Sequence, residues 1–254
     1  MASNRFSLEG KVALVSGGSR GIGEAIAHGL AEQGARVIVS SRDVAACQTV
    51  ADAINDKGGE AVAMRCHAGV AADIEAVFDA IDEQFGRIDI LINNGATNPY
   101  YGPIADTPVE AMDKTYEVNV KGPFMMTSAA VKRMAKQGGG AVVTVSSITA
   151  FNPGTYMGIY AMTKAALVSM TKTFANEYSK HNVRVNALAP GLTDTKFTEA
   201  LKSNDALRES VLKTIPAKRM GVPEDMVGGV LYLVSDAAAY TSGTTLVIDG
   251  AMIS

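Results

Sequence analysis

Apolar residues along this chain fall into two alternating patterns. Short runs dense in Val, Ile and Ala, with little polar alternation, occupy residues 12–16, 36–40, 61–66, 88–93, 141–146, 184–188 and 244–248. Strands covered by helices on both faces have this composition, because neither face meets water. Between them, stretches near 22–33, 45–57, 72–85, 109–134, 160–180 and 223–235 read as helices. The alternation predicts parallel βαβ units: an α/β architecture with a doubly wound, seven-stranded parallel sheet and helices on both faces. Pro223 followed by Glu224 and Asp225 suits a helix start, since proline fits the first turn and acids fit its positive end. The stretch 193–220 breaks the pattern beyond the sixth strand, where an insertion is placed to cover a ligand crevice. No repeat, low-complexity tract or linker divides the chain. Residues 1–254 therefore read as one domain with a local lid near 193–220.

Composition narrows the function more than the fold. With 47% hydrophobic and 19% charged residues, the 254-residue chain can bury one sizeable core. A formal net charge of -3 offers no long-range attraction for phosphate backbones or anionic lipid, which argues against nucleic-acid and membrane partners. No apolar run reaches the roughly 18 residues of a membrane helix. Cys47 and Cys66 are the only cysteines, so no disulfide framework is implied and a reducing, cytoplasmic location is expected. Neither a signal-peptide-like opening nor a peroxisomal address is seen. No cluster of His, Cys and carboxylates has metal-ligand spacing, so no metal is expected.

The first βα junction carries candidate chemistry. Gly17, Ser19, Arg20, Gly21, Ile22 and Gly23 lie between the first strand and the first helix. Glycines there allow a tight turn and a close approach to a pyrophosphate, which a helix N-terminus stabilises. This setting points to a dinucleotide. At the end of the second strand, where an acid binds the ribose hydroxyls of NAD, stand Ser41 and Arg42. A carboxylate would repel a 2′-phosphate, whereas a hydroxyl and a guanidinium would bind one, with Arg20 as a second cation. NADP (as NADPH) is the expected cofactor. NAD stays open as an alternative, because Asp43 would reach the ribose if the register shifted by one.

Tyr160 and Lys164 lie four residues apart, on one face of a helix. A free phenol, with a pKa of about 10, is a poor base at neutral pH. A neighbouring ammonium, together with the charge of an oxidised nicotinamide, is expected to lower it. Tyr160 would then exchange a proton with a carbonyl or alcohol oxygen. Ser147 precedes Tyr160 by 13 residues and follows the fifth strand, at the edge where open parallel sheets bind ligands.

Together these motifs resemble the short-chain dehydrogenase/reductase family from end to end, with a Rossmann-type fold. Ser147, Tyr160 and Lys164 resemble its Ser-Tyr-Lys triad, and Asn119 resembles its fourth catalytic residue, an asparagine that distorts its helix and holds a proton-relaying water. The glycine loop resembles the family's T-G-x-x-x-G-x-G, with Ser16 for threonine. Pro190, Gly191, Thr193 and Thr195 resemble the loop that reaches the nicotinamide amide and the phosphates, and Asn94 and Gly95 the loop beside the adenine ribose. The resemblance implies a homotetramer built through the helices near 109–134 and 160–180 and the C-terminal segment.

The chain departs from the family pattern in two places. Asn93-Asn94-Gly95-Ala96 inverts the usual last two residues, and His67 replaces an aspartate that touches the adenine. His67, the run from Asn98 to Gly102 and the run from Arg219 to Asp225 resemble NADP-dependent carbonyl and retinal reductases of the peroxisomal group, with bacterial 3-ketoacyl reductases more distant. Ser147, Thr149, Gly154, Tyr156 and Met157 are expected to line the substrate pocket, with Phe151 and Tyr100 as further candidates. An apolar wall would favour aliphatic or aromatic ketones over charged sugars. The expected activity is reversible reduction of a small-molecule ketone or aldehyde to an alcohol. Alternatives are an NAD-dependent secondary alcohol dehydrogenase, a 3-ketoacyl thioester reductase docking a carrier through Lys132, Arg133 and Lys136, or a non-catalytic dinucleotide sensor. The helix acids Asp73, Glu75, Asp79, Asp82 and Glu83 read as a solvated face.

Overall fold

The structure is a computed structural model that describes residues 4–195 and 205–253. Seven strands form one parallel sheet: β1 (Val12–Ser16), β2 (Arg36–Ser41), β3 (Glu60–Arg65), β4 (Ile90–Asn93), β5 (Gly140–Val145), β6 (Val183–Pro190) and β7 (Thr245–Ile248), in the order β3-β2-β1-β4-β5-β6-β7. The chain reverses direction across the sheet between β1 and β4. The crevice that opens there, at the carboxyl ends of the strands, is where open α/β sheets bind ligands.

Alternate residues of each strand bury on opposite faces, which makes the winding double. Ala13, Val15, Val37, Val39, Ile90 and Ile92 pack under α1 (Gly21–Glu32), α2 (Val44–Asn55) and α8 (Val227–Val234). Val12, Leu14, Ile38, Leu91 and Val142 pack under α3 (Ala71–Phe85), α5 (Gly122–Gln137) and α6 (Gly158–Tyr178). α4 (Val109–Tyr116) precedes α5, and α7 (Asp205–Thr214) lies within the stretch expected to form a lid. Residues 196–204 of that stretch lie outside the described residues. At its base, Thr193 pairs with Gly221 in a parallel bridge.

Three expected element boundaries are corrected. β4 begins at Ile90 rather than 88, because the Asp89 carboxylate accepts the Val12 N–H at 2.9 Å and takes a ladder position. The helix expected over 109–134 is divided into α4 and α5 by a π-helical turn, Glu117–Lys121. The segment from Pro223 opens as a 3-10 turn, Pro223–Met226, before α8 begins, and Asp225 there accepts the Val222 N–H at 2.8 Å. The acidic face of α3 is also more than solvated. Asp73 bonds Arg65 and the His67 N–H, and Asp82 pairs with Arg133 at 2.7 Å. Arg133 is thereby spent, which removes one member of the loose basic cluster with Lys132 and Lys136.

Candidate active site

Two backbone loops meet at the crevice. Gly17 adopts φ +68°, in the left-handed region that favours glycine, and an added Cβ would lie 2.7 Å from Gly95 Cα. A Cβ on Gly23 would collide with Gly17 O and lie 2.6 Å from Asn94 Nδ2. The absence of side chains lets Asn94 Nδ2 donate to Gly17 O at 3.0 Å, fastening the loop after β4 to the loop after β1. Ala96 is exposed, so its methyl does not disturb this anchor despite the inverted motif.

The helix that follows is left uncapped. Arg20 occupies the N-cap of α1 and supplies no side-chain hydrogen bond. First-turn N–H groups without a side-chain acceptor suit an anion, and the glycine loop leaves backbone room for one. Thr195 approaches from the far side, its Cγ2 lying 3.5 Å from where a Gly21 Cβ would stand. Pro190 ends β6, Gly191 N–H donates to Ile248 O at 2.8 Å, and Thr193 Oγ1 donates to Gly191 O at 3.1 Å. These contacts set the 190–195 loop over the same crevice. The residues therefore fit the pyrophosphate of a dinucleotide.

At the end of β2 the structure resolves the register. Asp43 is the N-cap of α2, and its carboxylate accepts the Ala46 N–H at 3.1 Å. Ser41 closes β2, and its hydroxyl accepts from Asp43 N–H at 3.1 Å and donates to Asp43 O at 3.0 Å. The hydroxyl expected to face a phosphate is thus engaged in its own turn, and Arg42 projects exposed from that turn. His67 follows β3, with its Nδ1 accepting the Gly69 N–H at 3.0 Å, which leaves Nε2 as the ring's open atom.

Ser147, Tyr160 and Lys164 meet at the carboxyl end of β5. Ser147 caps the short 3-10 turn Ile148–Ala150, with its Oγ accepting the Thr149 N–H at 3.1 Å, and it hydrogen-bonds the Tyr160 hydroxyl. Lys164 is 2% exposed; its Nζ donates to Val145 O at 2.8 Å and stands 5.4 Å from the centre of the Tyr160 ring. Ser146 Oγ donates to Lys164 O at 2.8 Å, so the end of β5 grips both the main chain and the side chain of this lysine.

Burial dominates the electrostatics. It pushes the Lys164 ammonium down to about 7. It also pushes the Tyr160 phenol above its ordinary value, against the opposing Ser147 hydrogen bond. The expected lowering of Tyr160 by Lys164 is not what the chain's own groups produce. The physical reason is desolvation: burial penalises the phenolate by more than the Ser147 hydrogen bond favours it.

Asn119 is 1% exposed within the π-helical turn. Its Oδ1 accepts the Thr97 N–H at 2.8 Å, while Nδ2 donates to Thr97 O at 2.9 Å and to Thr163 Oγ1 at 3.2 Å. A π-turn absorbs the extra residue that reaching Thr97 demands. Thr97, Ser146 and Thr163 were not found by sequence reasoning. The available signal was that Ser146 and Thr163 adjoin Ser147 and Lys164, and that Thr97 follows Asn94 by three residues.

The candidate substrate residues lie on the segment between Ser147 and α6. Tyr156, at φ +66°, packs edge-on against Tyr101 with ring centres 5.8 Å apart, and its carbonyl accepts the Gly102 N–H at 3.2 Å. Met157 N–H donates to Gly154 O at 3.3 Å. Tyr101, Ile104, Phe151 and Tyr156 are all exposed. Tyr100 turns instead to Pro103, donating to its carbonyl at 3.1 Å.

Comparison with known proteins accords with this geometry. A family profile described as Enoyl-(Acyl carrier protein) reductase matches residues 17–252. Dehydrogenase/reductase SDR family member 4 of Homo sapiens is 44% identical over 251 residues, covering 98% of this chain and 89% of that protein. The chain belongs to the short-chain dehydrogenase/reductase family. It is an oxidoreductase of that family, and its fold is shared with solved members. A gluconate 5-dehydrogenase from Burkholderia cenocepacia J2315, in complex with NADP and tartrate, superposes with a TM-score of 0.95 at 30% identity, covering 99% of this chain and 98% of that one. A 7 alpha-hydroxysteroid dehydrogenase complexed with NADH and 7-oxo glycochenodeoxycholic acid superposes at 0.93 with 34% identity, covering 99% and 97%. Both nicotinamide cofactors thus occur on this fold. Within a short-chain dehydrogenase/reductase, the choice between them falls to groups at the end of β2.

Proposed function

We propose that this chain is an NADP(H)-dependent carbonyl reductase that converts an apolar ketone or aldehyde reversibly to an alcohol. The observation that carries this reading is the meeting of Ser147, Tyr160 and Lys164 at the carboxyl end of β5. NADPH, when bound, supplies the hydride. Gly17, Ser19, Gly21, Ile22 and Gly23 would cradle its pyrophosphate, Asn94 and Gly95 would flank its ribose, and Pro190, Gly191, Thr193 and Thr195 would reach the nicotinamide side. His67 would face the adenine edge. Arg42 and Arg20 would pair with the 2′-phosphate, and the commitment of Asp43 to its helix cap supports this over NAD.

Ser147 positions the carbonyl oxygen and Tyr160 gives it a proton. A phenol held neutral by burial is a proton donor at working pH, which suits the reductive direction. Lys164 would hold the cofactor ribose and replenish the proton, with Asn119 supporting the relay. The exposed aromatic rim at Tyr101, Phe151 and Tyr156 supports an apolar substrate. Apolar side chains at Val109, Met112, Phe124 and Met162 remain exposed on α4, α5 and α6, which supports association of the single-domain chain into a homotetramer. A groove of about 480 Å³ lies on that helical face, lined by Tyr116, Phe124 and Met170 among others, and is assigned to association rather than catalysis.

The test is oxidation of NADPH, and separately NADH, against aldehydes, diketones and ketoacyl thioesters. Turnover is expected to be faster with NADPH and lost in Tyr160→Phe, with cofactor affinity kept. Retained turnover in Tyr160→Phe would sink the assignment.

A further inference from the structure

Asn119 and Tyr160 lie on different helices, and a single hydroxyl joins them. Thr163 is fully buried at 0% exposure. Its Oγ1 accepts from Asn119 Nδ2 at 3.2 Å and donates to Tyr160 O at 2.7 Å. One hydroxyl proton and its lone pairs serve both contacts. A threonine bonding back to its own helix is common, and alone it would be a packing detail. Here the same oxygen also receives the amide that clamps both polar groups of the Thr97 backbone.

The connection continues in both directions. Thr97 lies three residues after Asn94 in the loop that follows β4, and the Asn94 side chain holds Gly17 O at 3.0 Å. On the other side, Lys164 follows Thr163 directly, held by Ser146 through its carbonyl and by Val145 through its ammonium. Hydrogen bonds therefore run from Thr97 through Asn119 and Thr163 to the first turn of α6, and the main chain from Thr97 back to Asn94 joins them to the glycine loop. Asn119's side-chain groups are all engaged in that chain. The influence of that side chain on Tyr160 passes through its partners, and Thr163 is the partner on the catalytic helix.

We propose that Thr163 is a positioning residue, whose hydroxyl locks the Asn119 clamp to the carbonyl of Tyr160 and so sets the phenol against Ser147. The inference rests on the reading of Tyr160 as the proton donor. Removing the hydroxyl leaves Asn119 Nδ2 one acceptor short in a buried site and frees the first turn of α6 to shift. Small misplacements of a reacting group cost rate more than binding.

The experiment compares Thr163→Val and Thr163→Ser with the full-length wild type. It reads kcat and KM from pH 5.5 to 9.5, NADPH Kd by nucleotide fluorescence, and the melting temperature. Thr163→Val is expected to lose about tenfold in kcat, with KM and NADPH Kd changed less than threefold and the pH profile of kcat displaced. Thr163→Ser is expected to restore kcat to within threefold. Should the valine variant not fold, Thr163→Ala read against Thr163→Ser makes the same comparison. A kcat in the hydroxyl-free variant within twofold of wild type would overturn the proposal. So would a serine variant as slow as the hydroxyl-free one, since the methyl would then be what matters. Tyr160→Phe, assayed alongside, separates the two readings. If it is inactive while Thr163→Val is unaffected, only the role of Thr163 falls; if it is active, the reading of the site falls first.

Discussion

Replacing Lys164 by methionine should exchange activity for stability, with a sign that depends on pH. The side chain is buried, and burial alone carries its ammonium from an ordinary 10.5 down to about 7. A depression of roughly three units, at about 1.4 kcal/mol each, burdens the folded state by ~4–5 kcal/mol below pH 7. Between pH 7 and 10.5 the unfolded chain holds a proton that the folded chain has shed, so wild-type stability rises with pH across that window. Methionine keeps the length and removes the burden, but it strips Val145 O of the donor now 2.8 Å away. An unpaired buried carbonyl costs ~1–3 kcal/mol. The variant should therefore be more stable than wild type by ~2–3 kcal/mol at pH 6.5, with the two curves crossing near pH ~9. Above pH 10 the raised Tyr160 phenol works the other way, because the unfolded chain then loses its proton first; measurements should stop short of that point. Urea unfolding at pH 6.5, 8 and 9.5, at matched protein concentration, reads the difference. Parallel pH dependence in the two proteins would refute the reasoning, because a lysine that kept its charge on burial would show no linkage here.

Three further substitutions probe the cofactor end. Gly23→Ala places a methyl against Gly17 O and Asn94, and should destabilise the protein by ~1–3 kcal/mol and weaken dinucleotide binding at least tenfold; melting and fluorescence titration report both. Asp43→Ala should cost about 1 kcal/mol through the lost cap of α2 while leaving NADH affinity within twofold, whereas a large change in NADH affinity would return Asp43 to the ribose. Arg42→Asp should lower the preference for NADPH over NADH by roughly ten- to a hundredfold, the worth of a charge-assisted hydrogen bond, as read from the ratio of kcat/KM values.

Much of this protein was legible along the chain. Strands buried on both faces lose polar alternation, so all seven stood out, with ends displaced by only a few residues. The glycine spacing and the Tyr160–Lys164 interval depend on local geometry, a tight turn and one turn of helix, and local geometry is what a sequence displays. Other features arose from contacts between distant segments. The π-turn at Glu117–Lys121 sits inside a run that reads as continuous helix, and it exists because Asn119 must reach Thr97 across 22 residues. Asp43 read as a possible ribose ligand and Ser41 as a phosphate ligand until the start of α2 drew one into a cap and the other into a turn. Thr163 carried no signal apart from its place beside Lys164.

The sequence by itself determined the architecture and singled out the glycine loop and the candidate reactive side chains, because each follows from residue type and spacing within a few turns of chain. Only the tertiary structure decided the electrostatics and the connections. How far Tyr160 and Lys164 are driven toward neutrality depends on desolvation by neighbours from β5 and α6 together. Which hydrogen bonds hold them in place depends on loops that meet only when the sheet is assembled.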